Sequence, residues 1–229
     1  MHDNKRLTLR VLSALLRYPD AAFREAVPEL IEALGTERAL SASRLAELTA
    51  LLRQFRTQDP YENEARFVET FDRGRATSLH LFEHVHGDSR DRGPALVDLG
   101  QTYERAGLAL EGDELPDHLS VVLEFASSQP RHVAREFLGE MAHILNAVFS
   151  ALRERGSPYA SVIAAVLELG GQKAEAVPVQ EDQAIDEAWA EPPAFDGCSS
   201  AGQASPGTPQ PIHIVRPKKS TPASEGARA

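Results

Sequence analysis

The sequence predicts an all-α fold. It reads as a helical bundle of about eight or nine helices over residues 1–170, with a largely disordered Pro/Ala/Ser-rich tail over 171–229. Three observations carry this reading. Apolar residues before position 170 recur three and four positions apart, as one face of a helix requires. No sustained two-residue alternation appears in that stretch. Composition then changes at Gly170-Gly171: of 15 prolines, 8 fall in the last 59 residues, amid Ser, Ala and Gly. Such a segment cannot bury enough apolar surface to offset the entropy of ordering it.

The elements follow in order. Leu7, Val11, Leu12, Leu15 and Leu16 make the first stripe, with Pro19 breaking the helix after it. Leu45, Leu48, Leu52 and Phe55 make another, before Pro60. Leu96, Leu99, Tyr103, Ala106 and Leu110 follow Pro94. Pro116 begins a helix whose first turn holds Asp117, where a carboxylate suits the helix dipole. The longest stripe, after Pro130, is Val133, Phe137, Met141, Ile144, Leu145, Val148 and Leu152. Gly156 and Gly170 sit where helix ends favour a left-handed residue. Between them, Ser157 and Pro158 read as N-cap and first helical position, leading into Val162, Ile163, Val166 and Leu167. In the tail, residues 182–190 read as a short acidic helix with Ile185 and Trp189 on one face. Ile212, Ile214 and Val215 form a brief apolar patch there.

Charge and composition exclude several functions. The net charge is −10, from 24 basic and 34 acidic residues. Residues 1–170 carry −7, residues 171–196 carry −6, and residues 197–229 carry +3. That balance disfavours nucleic acid, which needs a basic stripe to displace counterions. The single Cys198 permits no intrachain disulfide and no cysteine-based metal cluster. No apolar run is long enough for a membrane span. Arg10 interrupts what would be the core of a secretory signal, so a cytoplasmic protein is expected.

Residues 71–93, FDRGRATSLHLFEHVHGDSRDRG, break the helical pattern. They concentrate glycines, the bases Arg73, Arg75, Arg90 and Arg92, the acids Asp72, Glu83, Asp88 and Asp91, and three of the eight histidines. A polar, glycine-punctuated stretch inside a helical domain is a candidate functional loop. It could be a polar network pinning two helices, a partner-binding loop, or a metal site. His80 and His84 have helical i,i+4 spacing, with Glu83 and His86 near. The glutamate is misplaced for a zinc-protease motif and no further ligand follows closely, so no metal is expected. Residues 114–119, ELPDHL, pair Asp117 with His118 but supply no nucleophile. There is no G-x-S-x-G elbow, no Walker A loop and no G-x-G-x-x-G, so no enzyme is assembled.

The 71–93 block closely resembles the hallmark of the NarJ family, cytoplasmic chaperones that assemble the molybdenum cofactor into respiratory nitrate reductase. LLRYPD at 15–20 and the Trp-containing DEAWAEPPAFDGC at 186–198 also resemble family segments. ELPDHL looks like an element shared with the wider TorD and DmsD group of redox-enzyme maturation proteins. The resemblance implies a TorD-like all-helical fold and chaperoning rather than catalysis. The implied partner is the apo catalytic (alpha) subunit of nitrate reductase, bound through its signal-like N-terminal segment. The chaperone would keep the alpha–beta complex soluble until bis-molybdopterin guanine dinucleotide is inserted, delay membrane docking, and stay out of the finished enzyme. It would hold no permanent cofactor. Molybdenum cofactor biosynthesis proteins are further candidate partners.

An acidic chaperone suits a basic, amphipathic client segment, attracting it at long range and receiving its apolar face in a groove. Leu81 and Phe82 are expected to line that groove, with Glu83, His84, His86, Asp117 and His118 around it. Protonation of His84, His86 or His118 near pH 6 would then weaken binding. Arg73, Arg75, Arg90 and Arg92 are expected to brace the loop through Asp72, Asp88 and Asp91, or to touch client acids.

Overall fold

A computed structural model describes residues 6–87, 89–112 and 114–178. Ten α-helices occur among them: α1 Arg6–Leu15, α2 Ala21–Glu37, α3 Ala42–Thr57, α4 Pro60–Phe71, α5 Leu81–His86, α6 Arg92–Arg105, α7 Leu119–Ser128, α8 Arg131–Glu140, α9 Ala142–Glu154 and α10 Ala160–Leu169. One turn of 3₁₀ helix, Arg75–Thr77, lies between α4 and α5. No strand forms among the described residues, only an isolated antiparallel bridge between His80 and His118. The all-α expectation holds, with more helices than the eight or nine expected. The stripe from Val133 to Leu152 is two helices, broken at Met141, and its apolar positions keep their phase across the break. Gly139, a poor helix former, precedes the break.

α10 is the centre of the bundle. Eight of its ten residues are buried, among them Val162, Ile163, Val166 and Leu167. A helix apolar on all sides is one surrounded by others. α9 packs against it and adds Leu145, Val148 and Leu152 to the core, while α1 packs most extensively on α7, with Leu12 of α1 and Leu119 and Leu123 of α7 buried in the same core. Tyr159, just before α10, meets the rings of Phe55, Phe67 and Phe71 edge-on, joining α3 and α4 to the same core. A smaller apolar cluster of Leu99, Tyr103 and Phe125 ties α6 to α7.

Local chemistry sets the helix ends. Asp20 caps α2 by accepting from the Phe23 N–H at 2.7 Å. Asp59 caps α4 through the N–H groups of Tyr61 and Glu62, with Pro60 at the first helical position. Gly156 has φ +64, as its end position demands. At the end of α10 the left-handed residue is Gly171, φ +75, rather than Gly170. Gly170 stays right-handed, and a Cβ there would come within 3.3 Å of Leu138 and Gly139, so it lets α8 approach α10. α10 itself begins two residues after Pro158, with the Ser157 hydroxyl accepting weakly from the Tyr159 N–H at 3.4 Å.

Residues 171–178 continue along α9 without helical structure. The Glu175 N–H donates to Asn146 Oδ1 at 2.8 Å and the Val177 N–H to Ser150 Oγ at 2.9 Å, while Ala174 packs on the core. The expected Trp189 helix at 182–190, the 212–215 patch and Cys198 lie outside the described residues, as does Asp88. No described helix is long and apolar enough to cross a membrane.

Candidate functional site

The irregular stretch after α4 is joined to the approach to α7 by backbone pairing. The Leu119 N–H donates to the Leu79 carbonyl at 2.8 Å, and the Leu81 N–H to the Asp117 carbonyl at 3.1 Å. The 71–93 block and the ELPDHL segment, far apart in sequence, therefore meet side by side.

Asp117 is the hub of this junction. Its side chain is 0% exposed. Oδ2 accepts from the Phe82 N–H at 3.0 Å, Oδ1 lies 3.3 Å from His80 Nδ1, and Arg92 Nη2 lies 4.0 Å away. Burial alone would raise the carboxyl's pKa. The His80 hydrogen bond, the Phe82 N–H and the nearby positive charges outweigh it and hold the group below the usual aspartate range. His80 moves the other way: its bond to Asp117 raises its pKa despite desolvation.

A second layer surrounds the hub. Arg92, entering α6, bonds Glu83 Oε1 at 3.1 Å, and Glu83 Oε2 accepts from the Ser78 hydroxyl at 2.5 Å. The His84 Nε2–H donates to the Ser78 carbonyl at 2.9 Å. Thr77, fully buried, donates to the Thr70 carbonyl and accepts from Arg155 Nη1 at 3.2 Å. Tyr103 OH donates to the Pro116 carbonyl at 2.8 Å, and burial followed by the Asp117 charge pushes its pKa up. His118 caps α7, with Nδ1 2.7 Å from Ser120 Oγ and accepting from the Ser120 N–H at 3.3 Å. Desolvation pushes its pKa down.

Residues 17–165 match the nitrate reductase delta subunit family. The chain belongs to this family. It is 41% identical over 195 residues to the nitrate reductase molybdenum cofactor assembly chaperone NarJ of Escherichia coli (strain K12), covering 81% of this chain and 83% of that one. It is 35% identical over 193 residues to NarW of the same strain, covering 80% of each. To NarJ of Bacillus subtilis (strain 168) it is 31% identical over 170 residues, covering 72% and 88%. Membership in the nitrate reductase delta subunit family agrees with the resemblance carried by the 71–93 block.

The placement of the residues singled out in this family member departs in part from the groove expected. Leu81 is a core residue at 1% exposure and Asp117 is fully enclosed, so neither lines an open groove. Both shape the junction from within. Phe82 is half-buried between the two apolar clusters, its ring edge-on to His86 at 5.8 Å. His118 is buried, and its lowered pKa makes it a poor group to charge near pH 6. Arg92 meets Glu83 and Asp117 among the described residues, not the loop acids assigned to it. Asp91 exchanges hydrogen bonds with Ser89. Arg73, Arg75 and Arg90 are exposed, as is Asp72. His80 and His84 do not share a helical face, because His80 is the residue before α5.

Beside the junction is a cavity of about 220 Å³, walled by Tyr18, Phe67, Asp72, His80, Glu114 and His118 among others. A neighbouring concavity of about 430 Å³ shares Tyr18 and adds Tyr61, Val68, Glu64, Glu69 and Arg73. Tyr18 OH donates to Glu64 Oε2 at 2.9 Å, and Arg24 bonds Glu64 Oε1 at 2.8 Å. Arg24 first, then Tyr18, hold the Glu64 carboxyl below the usual glutamate range. In the sequence Tyr18 and Glu114 stand out only within LLRYPD and ELPDHL, Tyr103 only as one position of a helical stripe, and Thr77 and Ser78 only as members of the 71–93 block. Nothing local marks Ser78 or Tyr103; their partners lie on other elements.

Proposed function

We propose that this protein is an assembly chaperone for respiratory nitrate reductase. The observation that carries the reading is the similarity to NarJ across four fifths of both chains. The client is the apo catalytic (alpha) subunit, held by its signal-like N-terminal segment. Binding keeps the alpha–beta complex soluble and open to bis-molybdopterin guanine dinucleotide, which is the client's cargo rather than a resident cofactor. It also delays docking on the membrane, and the chaperone leaves the finished enzyme. The protein acts in the cytoplasm and is not itself an enzyme.

The geometry supports a peptide site within residues 1–170. The two adjoining concavities offer exposed aromatic surface at Tyr18 and Tyr61, edged by Glu64, Glu69, Asp72 and Glu114. An apolar floor whose rim holds these four acids against two cations, Arg17 and Arg73, suits the apolar face and basic flank of an amphipathic segment. Phe82, Glu83, His84 and His86, on the short α5, border the same junction. Co-purification from cells accumulating cofactor-free client tests the reading. Recovery of the alpha subunit, lost when its N-terminus is deleted, is expected; recovery unaffected by that deletion would overturn the proposed site.

A further inference from the structure

We propose that His80, Glu114 and His118 form a binding site for a divalent transition-metal ion of zinc-like character. One donor atom from each residue lies within 4.8 Å of those of the other two. A tetrahedral zinc site with bonds near 2.0–2.2 Å sets its ligands roughly 3.5 Å apart, so closure needs a movement of about an ångström. The residue best able to supply it is Glu114, which is exposed on the connection between α6 and α7. Two imidazoles and one carboxylate are a ligand set that zinc, cobalt and nickel accept, with solvent completing the shell. The cavity beside them provides that room.

The outer contacts fit this role. His80 presents Nδ1 to the buried Asp117 carboxylate, leaving Nε2 for a ligand. This is the carboxylate–histidine arrangement that orients a metal-binding imidazole and raises its basicity. His118 Nδ1 lies 2.7 Å from Ser120 Oγ and accepts from the Ser120 N–H, which leaves the ring proton on Nε2; a metal on Nε2 takes the other tautomer, with Nδ1–H donating to the Ser120 hydroxyl in place of the cap bond. The two rings stand edge to face, 5.1 Å apart between centroids. Arg17 is the nearby cation on the cavity wall, and Glu124 neutralises it at 2.8 Å. Sequence spacing pointed to His80 with His84 and His86 and led to an expectation of no metal. Folding instead brings His80 to a histidine and a glutamate more than thirty positions away. A bound ion would clamp the 78–81 segment to the 114–118 segment. The site borders the cavity given to the client segment and shares Glu114 with its rim, but metal binding is read without any client present.

The test uses the full chain, freed of any histidine tag and stripped with a chelator. Zinc is titrated by calorimetry and cobalt by visible absorption. One equivalent of each is expected, with cobalt showing ligand-field bands of low coordination number. Zinc at a hundredfold excess over Kd should raise Tm by roughly 5–10 °C. Glu114→Gln, on an exposed side chain that folding does not need, should weaken binding about tenfold or more. His80→Ala should abolish it, and His132→Ala should leave it intact. Failure of the wild-type chain to bind saturably, or binding undiminished by Glu114→Gln and His80→Ala, would overturn the proposal.

Discussion

Asp117→Ala is the sharpest test of the junction between the 71–93 block and α7. The substitution removes the acceptor of the Phe82 N–H and the carboxylate facing His80 and Arg92. Breaking a buried charged network from one side costs about 3–5 kcal/mol. The His80 and Arg92 side chains are 29% and 22% exposed, so water recovers part of the loss. Arg92 also keeps Glu83. The lower end, about 3 kcal/mol, is therefore expected. Against a total stability of roughly 5–15 kcal/mol this is a large fraction. For a chain of this size it corresponds to a Tm loss of roughly 6–12 °C. Asp117→Asn keeps an acceptor for Phe82 but loses the charge, and should cost about half as much. Urea unfolding of the three proteins measures both. An Asp117→Ala protein within about 0.5 kcal/mol of wild type, the range of ordinary surface changes, would refute the claim that Asp117 holds the junction.

Three further outcomes are expected. Leu145→Ala, on the face of α9 that packs on the core, should cost about 2–5 kcal/mol by leaving a cavity among fully buried neighbours, read from the urea midpoint. Truncation after Gly170 should give a lower Tm than truncation after Pro178, because only the longer chain keeps the bonds from Glu175 to Asn146 and from Val177 to Ser150. Glu64, whose folded pKa lies below its ordinary value, stabilises the fold above the unfolded-chain value and loses that contribution as pH falls through the folded one. Glu64→Gln should therefore flatten the fall in Tm below about pH 4.5; an unchanged acid limb would show that the Arg24–Glu64–Tyr18 cluster does not contribute.

The helices were legible because burial forces a period on the sequence. Every residue of α10 but Ser161 and Glu168 is buried, and its run of Ala, Val, Ile and Leu announced as much. Pro60 and Pro130 marked true starts and Pro94 falls in the first turn of α6, but Pro116 does not begin a helix: it lies in a turn, and α7 starts at Leu119. The break at Met141 was hidden, since its neighbours keep the same apolar phase on both sides. The site was legible as a place but not as a set of contacts. Spacing grouped His80 with His84, although the chain turns between them and His80 bonds a residue 37 positions on. Asp117 looked like a first-turn carboxylate at a helix surface. Only the pairing of residues 79–81 with 117–119 encloses it and turns it toward His80. Such pairings leave no local trace, because each strand-like segment is three residues long.

The role proposed for this protein is to prepare the nitrate reductase alpha subunit for its molybdenum cofactor. The decisive measurement is the molybdenum content of alpha subunit purified from cells with and without this chain. Cofactor-replete alpha subunit is expected when the chain is present and a marked deficit when it is absent, restored by expressing it again. Equal molybdenum loading in both would overturn the proposed role.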